Sequence, residues 1–202
     1  MTRIYLIRHG ETEWNKTGRL QGNANILLSP EGVRQAKLLA EHTPFHTVDA
    51  IYSSDLSRAV KTAEILAEKF NLPVIQERGF RETNFGDWEG RPLSELAIGD
   101  DSFKYFFTKP DKVHPKNGET FLQCQARVMT ALEEIVAEHD NQSVVVVSHG
   151  AAIRLILCAA LTMPIRKMWA ISQFNMAVNI LCVEEGNAVV ELVNSTLHLY
   201  HF

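Results

Sequence analysis

Four short runs of this sequence carry side chains that can do chemistry: Arg8-His9-Gly10-Glu11, Arg58, Arg81-Glu82 and Ser148-His149-Gly150. Taken singly, each has an ordinary structural explanation. A histidine after a strand serves as a loop or cap residue, an arginine on a helix is solvated, and Glu82 pairs with Arg81. Their placement favours a joint explanation. Each run follows a stretch that reads as a strand, and in open parallel α/β sheets ligands bind beyond the carboxyl ends of the strands. Arg58 falls in the first turn of a helix, where a cation opposes the macrodipole unless an anion binds there. Arginine forks match phosphate oxygens two at a time, and backbone N–H groups at the helix start near Gly150 add donors. The constellation therefore points to a pocket for a small dianion, most simply a phosphate.

The elements that must position these residues alternate. Arg3 to Ile7 reads as a short buried strand. Ser29-Pro30 opens a helix, with serine as N-cap and proline at the first helical position, and Val33, Ala36, Leu39 and Ala40 form its apolar stripe. Val48 to Tyr52 is a second strand, and Ser54-Asp55 precedes a helix with apolar positions from Leu56 to Phe70. Pro73 to Gln76 is a short strand near an edge, because proline cannot donate to a ladder. Thr120-Phe121-Leu122-Gln123 has capping-box spacing and opens a long helix. Ser143 to Val147, with four consecutive valines, reads as a strand buried on both faces. Ala151 to Leu161 returns as a helix, and Ala177 to Val183 and Ala188 to Val193 form a hairpin or close pair around Glu185-Gly186-Asn187. We expect an α/β fold: a three-layer αβα sandwich with a mostly parallel central sheet. Residues 91–118 break the rhythm with Phe103, Tyr105, Phe106 and Phe107. They read as a short inserted cap within a single domain spanning 1–202, or else as an aromatic cluster packing under its own loop.

Composition bounds the partners. The chain has 202 residues, 46% hydrophobic and 22% charged, which suits one soluble globular domain. Its formal net charge of −4 argues against a broad electrostatic grip on nucleic acid or an acidic membrane, but not against a small focused anion site. Cys124, Cys158 and Cys182 are too widely spaced for a zinc ribbon and odd in number, so buried free thiols are expected. Ile4 to Ile7 is too short for a signal-peptide core, and Leu155 to Leu161 is far short of a membrane span. We expect a soluble cytoplasmic protein, monomer or homodimer, with no membrane or nucleic-acid partner.

Leu6-Ile7-Arg8-His9-Gly10-Glu11-Thr12-Glu13-Trp14-Asn15 resembles the signature of the histidine phosphatase superfamily, also called phosphoglycerate-mutase-like. Gly18-Arg19-Leu20-Gln21-Gly22, Ser53 to Ala59, Phe80-Arg81-Glu82, Gly86 to Gly90, Gly118-Glu119-Thr120 and Val147 to Gly150 follow in the family's order, so the resemblance spans nearly the whole chain. It implies that His9 is the nucleophile that forms a phosphohistidine. Arg8, Asn15, Arg58 and His149 would form the phosphate pocket, with Gln21, Gly22 and the Gly150 backbone adding contacts. Glu82 would donate a proton to the leaving alcohol. No metal and no cofactor is implied.

Physical requirements agree with those roles. An imidazole attacks through an unprotonated nitrogen, so a partner must fix its other nitrogen; a carbonyl at the Gly10 turn would serve. The arginines and a protonated His149 would stabilise the equatorial oxygens, and Glu82 must be able to carry a proton near neutrality. The chain departs from the family where an Asp-x-Pro-Leu run is usual: it reads Asn23-Ala24-Asn25-Ile26-Leu27-Leu28, which leaves the shape of that loop open. The stretch 85–93 is brief and lacks a second basic cluster, so a phosphatase is favoured over a phosphoglycerate mutase. Length and pattern most resemble the family's small broad-specificity phosphatases and α-ribazole phosphatases, with phosphoserine phosphatases also near, so the expected substrate is a small phosphorylated metabolite such as α-ribazole phosphate; Phe103 to Phe107 would make apolar or aromatic contacts to the leaving group. Other readings are a non-catalytic module that binds phosphorylated ligands, and a metal hydrolase using His9, Glu11 and His149. His42, His46, His139, His198 and His201 read as surface or packing residues, and His114 as a residue within reach of substrate. Trp169 and Phe174 read as packing or dimer contacts.

Overall fold

The computed structural model describes residues 1–45 and 47–200. Its elements are β1 (Thr2–Arg8), α1 (Glu13–Lys16), α2 (Pro30–Glu41), β2 (Ala50–Ser53), α3 (Ser57–Phe70), β3 (Val74–Gln76), α4 (Leu93–Gly99), α5 (Phe121–Glu138), β4 (Ser143–Ser148), α6 (Gly150–Ala160), β5 (Val178–Glu184) and β6 (Asn187–Ser195), with 3-10 turns between them. The strands form one sheet in the order β3-β2-β4-β1-β5-β6. The first four run parallel, and β5 and β6 are antiparallel additions. This is the mostly parallel sheet expected, with the proline-led β3 at one edge.

Alternation of side chains across the central strands builds two cores. Ile4, Leu6, Val144 and Val146 face α5 and α6, whose Val128, Leu132, Ile135, Ile153 and Leu157 close that side. Tyr5, Ile7, Val145 and Val147 face α2 and α3, with Ala36, Leu39, Ala63 and Leu66. All four valines are 0% exposed. At about 1.5–3 kcal/mol for each fully buried aliphatic side chain, this strand alone anchors both layers. The three cysteines are buried and free.

Register fixes where the chemistry sits. Arg8 pairs with Ser148 and Ser53 with Val147, so β1, β2 and β4 end at the same level. His9, Ser54 and His149 leave the sheet side by side. The local capping signals hold: Ser29 Oγ accepts the Gly32 N–H, and Thr120 and Gln123 form the reciprocal box that starts α5. The β5–β6 turn uses Glu185 and Gly186, both at positive φ (48° and 78°), the geometry of a tight two-residue hairpin loop.

Candidate active site

The strand ends open into a cavity of about 190 Å³ whose walls include Arg8, His9, Asn15, Gln21, Gly22, Arg58, Glu82 and Gly150. Eight of the nine site residues expected from sequence thus line one space. The ninth, His149, lies directly behind it: its ring is fully buried, 5.1 Å centroid to centroid from His9.

His9 is held as a neutral nucleophile. Its Nδ1 lies 2.7 Å from the Gly10 carbonyl oxygen, which only accepts, so the ring hydrogen is on Nδ1 and Nε2 is unprotonated. Nε2 in turn accepts from Arg58 Nε at 3.3 Å. Burial, then Arg58, then Arg8, push the His9 pKa well below its ordinary value. Gly10 must be glycine for this to work, since a Cβ there would stand 2.6 Å from the Gly32 carbonyl oxygen of α2.

Arg58 is 0% exposed, yet no carboxylate pairs with it among the described residues. Its Nη1 and Nη2 donate to the carbonyls of Ala24 and Gly22, both at 2.7 Å. Gly22 and Ala24, at the start of the unusual loop 23–28, therefore cradle this guanidinium. Leu56 gives α3 no side-chain cap; Asn25 Oδ1 supplies it from the same loop by accepting the Ser57 N–H at 2.8 Å. Burial lowers both Arg58 and Arg8 to about 10, so both remain cations at neutral pH.

Asn15 closes the α1 capping box. Its Oδ1 accepts from Thr12 N, Thr12 Oγ1 and Asn175 Nδ2, which leaves its amide N–H groups for a ligand. The start of α6 is arranged differently from the sequence expectation. Its N-cap, His149, makes no capping bond. Glu82 does so instead: Oε1 accepts from Thr83 N (2.9 Å) and Ala152 N (3.1 Å), and Oε2 from Ala151 N (3.1 Å). Among the first N–H groups of α6, only that of Gly150 is left for an anion among the described residues. Oε2 carries one bond against two on Oε1, so it is the oxygen with room for a proton. The segment bearing Glu82 is itself clamped. Arg127 donates to the carbonyls of Gly79, Arg81 and Glu82, and Glu119 binds both Arg127 and the Asn84 N–H.

The structure corrects several expectations. The charged form of His149, expected to stabilise the phosphate oxygens, is disfavoured by its surroundings. Burial, then Arg58, His9, Arg8 and Arg127, push it well below its ordinary pKa. Its Nε2 lies 2.8 Å from Ser54 Oγ, which also accepts the Leu56 N–H and can still either donate to Nε2 or accept from it. His149 Nδ1, Arg8 Nε and Gln21 Oε1 are buried and have no partner among the described residues. An oxyanion would satisfy Arg8 Nε, and also His149 Nδ1 in the tautomer that carries its hydrogen there. Arg81 is not a pocket residue and not the partner of Glu82: it grips Asp55 bidentately at 2.6 Å. Glu11 accepts from Ser29 and pairs with Lys16, so it does not join the two histidines, and among the described residues no group of three or more such side chains is placed to hold a metal. His114 is exposed and outside the cavity walls. His139 bonds Tyr52 and Gln142, and His198 is buried. His46 and His201 lie outside the described residues.

Sequence reasoning missed further contributors. Arg19, Arg154 and Trp169 are among the cavity walls. Asn175 Nδ2 donates to the His9 carbonyl at 3.1 Å, and the Gln173 carbonyl accepts from Arg8 Nη1 at 2.6 Å. The last two precede β5, and an antiparallel strand brings its start to the edge where its parallel neighbours end. That inversion was the available signal. Phe106 and Phe107 also line the cavity, whereas Phe103 packs on Trp88 and Phe106. No described helix is long and apolar enough to cross a membrane.

Residues 4–196 match the family described as the histidine phosphatase superfamily (branch 1). Phosphoserine phosphatase 1 of Hydrogenobacter thermophilus is 38% identical over 203 aligned positions, covering 100% of this chain and 96% of the relative. The adenosylcobalamin/alpha-ribazole phosphatase of Salmonella typhimurium is 33% identical, with 96% of each chain covered. The solved structure of YhfR from Bacillus stearothermophilus superposes with a TM-score of 0.94 at 32% identity, covering 99% of this chain and 100% of that one.

Proposed function

Since this chain belongs to the histidine phosphatase superfamily, branch 1, and is a phosphomonoester hydrolase, we propose that His9 carries the phosphoryl group from substrate to water without a metal. The observation that carries this reading is the fixed tautomer of His9: Nδ1–H bound to the Gly10 carbonyl, Nε2 unprotonated beside Arg58.

The substrate phosphate enters with two negative charges and meets Arg8, Arg58, the Asn15 amide and the Gly150 N–H, and His149 supports it from behind in the tautomer that carries its hydrogen on Nδ1. Arg58 Nε–H turns from His9 to a phosphate oxygen. Nε2 attacks phosphorus in line with the ester oxygen; the N–P bond forms as the P–O bond breaks. Glu82 hands its proton from Oε2 to the departing alkoxide. Water then attacks the phosphohistidine, Glu82 takes a proton from it, and inorganic phosphate leaves with His9 regenerated. Cations placed where charge spreads in the transition state supply most of the catalysis such a transfer needs.

The substrate is a small phosphate ester. Relatives named for phosphoserine and for alpha-ribazole phosphate support these two as candidate substrates. The test is direct. His9→Ala should abolish turnover of p-nitrophenyl phosphate while inorganic phosphate still binds, and a chelator should leave the unaltered enzyme active. Near-normal turnover in His9→Ala would remove the covalent mechanism, and chelator inhibition reversed by a divalent ion would establish a metal.

A further inference from the structure

The cavity holds more positive charge than a phosphate dianion needs. Arg8 and Arg58 flank His9, and two further guanidinia line the same cavity: the exposed Arg19, whose Nη1 donates to the Gly90 carbonyl at 2.7 Å, and Arg154. Arg154 is aimed. Nε donates to the Ile171 carbonyl at 2.7 Å and Nη1 to the Gly150 carbonyl at 2.9 Å. Its plane is covered by Trp169, with Cζ 5.0 Å from the ring centroid, and Trp169 is itself fixed through Nε1 to the Phe106 carbonyl at 2.6 Å. Nη2 has no partner among the described residues.

Its place relative to the phosphate floor is bounded by Gly150. A Cβ there would stand 3.2 Å from Arg154 Nη1 and 3.4 Å from Arg8 Nε. The two cations thus flank one glycine, a few bond lengths apart. Like charges so close in a partly buried wall repel, and Glu82, which attracts both, offsets that only in part at Arg8, so a further anion is favoured there. Arg8 and Arg58 already match the two charges of the phosphate. Stacking on Trp169 uses the face of the Arg154 guanidinium and leaves its edge, the geometry that receives a planar carboxylate. Phe106, Phe107 and Leu93 form the apolar remainder of the wall, which suits a short carbon chain between two anionic ends.

We propose that Arg154 is the specificity-determining residue of this pocket: it binds a carboxylate on the leaving alcohol, so the preferred substrates are phosphate esters of small hydroxy acids. This rests on the phosphomonoesterase reading above. The test compares matched pairs that differ only at the carboxylate: 3-phosphoglycerate with glycerol 3-phosphate, and phosphoserine with phosphoethanolamine. The unaltered enzyme should prefer the carboxylate member at least about tenfold in kcat/KM, mainly through KM, as loss of a charge-assisted contact implies. Arg154→Gln should lose about 10–100-fold more on the carboxylate member than on its partner, and Arg154→Lys should recover part of the preference.

Equal losses on both members would place Arg154 on the phosphate or in the fold and overturn the proposal. Should Arg154→Gln not fold, the unaltered enzyme decides: glycerate must inhibit more strongly than glycerol, and absence of both that difference and the substrate preference overturns the proposal. Turnover of p-nitrophenyl phosphate and glycerol 3-phosphate without carboxylate preference would refute the Arg154 assignment alone. Failure to hydrolyse any ester would refute the phosphatase reading beneath it.

Discussion

Replacing Glu82 with glutamine separates its two jobs. The carboxylate caps α6 and Thr83 through three backbone N–H bonds of 2.9–3.1 Å. Glutamine keeps the shape but converts one oxygen into a donor. With the amide oxygen at the Oε1 place, two bonds survive as neutral ones, and the new N–H faces Ala151 N–H, donor against donor. A hydrogen bond to a charged group contributes about 1.5–3 kcal/mol and a neutral one about 0.5–1.5; an anion at a helix N-terminus adds about 0.3–1. The combined loss is on the order of 3 kcal/mol. At roughly 2–4 °C per kcal/mol for a chain of this size, Tm should fall by about 6–12 °C. Catalysis should fall differently. Losing a general acid costs about 10²–10⁴-fold where the leaving group needs a proton, so kcat/KM for an alkyl phosphate should drop by that amount. p-Nitrophenyl phosphate, whose leaving group needs none, should lose less than about tenfold. The quantity to compare is kcat/KM, because it reports steps through phosphoryl transfer to His9 and is insensitive to the later hydrolysis, in which Glu82 also acts. Assayed well below the lowered Tm, equal losses on the two esters would refute the acid role and leave Glu82 as a structural cap.

Two further outcomes test the electrostatics and the loop. His9 and His149 are held well below their ordinary pKa, and His198 is lowered to about 4 by burial and the neighbouring His42. The unfolded chain therefore binds more protons than the folded one below about 6.5. Stability should be full above that pH and fall on acidification, by up to about 1.4 kcal/mol per pH unit for each histidine; urea midpoints measured from about pH 7.5 to 5 check this, and a rising midpoint would contradict it. Asn25→Ala removes the borrowed cap of α3 and should cost about 0.5–2 kcal/mol. It should also raise KM for phosphate esters, because the loop that cradles Arg58 loosens; a melting curve and KM together check it, and an unchanged KM would detach the loop from the site.

The parts of this molecule legible in its sequence are those set by local rules. The serine cap of α2, the capping box of α5, the all-valine β4 and the proline-led edge of β3 each follow from residues within a few positions of one another. The parallel order then brings Arg8, His9, Arg58 and Glu82 to one end, as strand-end logic implies. What was not legible depends on partners distant in sequence. Both site helices lack caps of their own: Asn25 reaches across to α3 and Glu82 to α6. No local pattern around Leu56 or His149 announces that. The charge state of His149 follows from burial among three arginines, which only the assembled fold supplies. Nothing local marks Arg154, and Trp169 reads as a packing or dimer contact; they meet at the cavity because the 165–170 turn after α6 packs back on that helix.

The central claim is that Nε2 of His9 becomes covalently bonded to phosphorus. The most direct measurement is rapid mixing of enzyme with p-nitrophenyl phosphate, an alkaline quench that preserves phosphohistidine, and mass spectrometry of the peptide that contains His9. The account predicts one added phosphoryl group on that histidine, formed within the first turnover, absent in His9→Ala and accumulating when Glu82→Gln slows attack by water. First-turnover release of p-nitrophenol with no phosphoryl group on His9, or with the label on another residue, would contradict it.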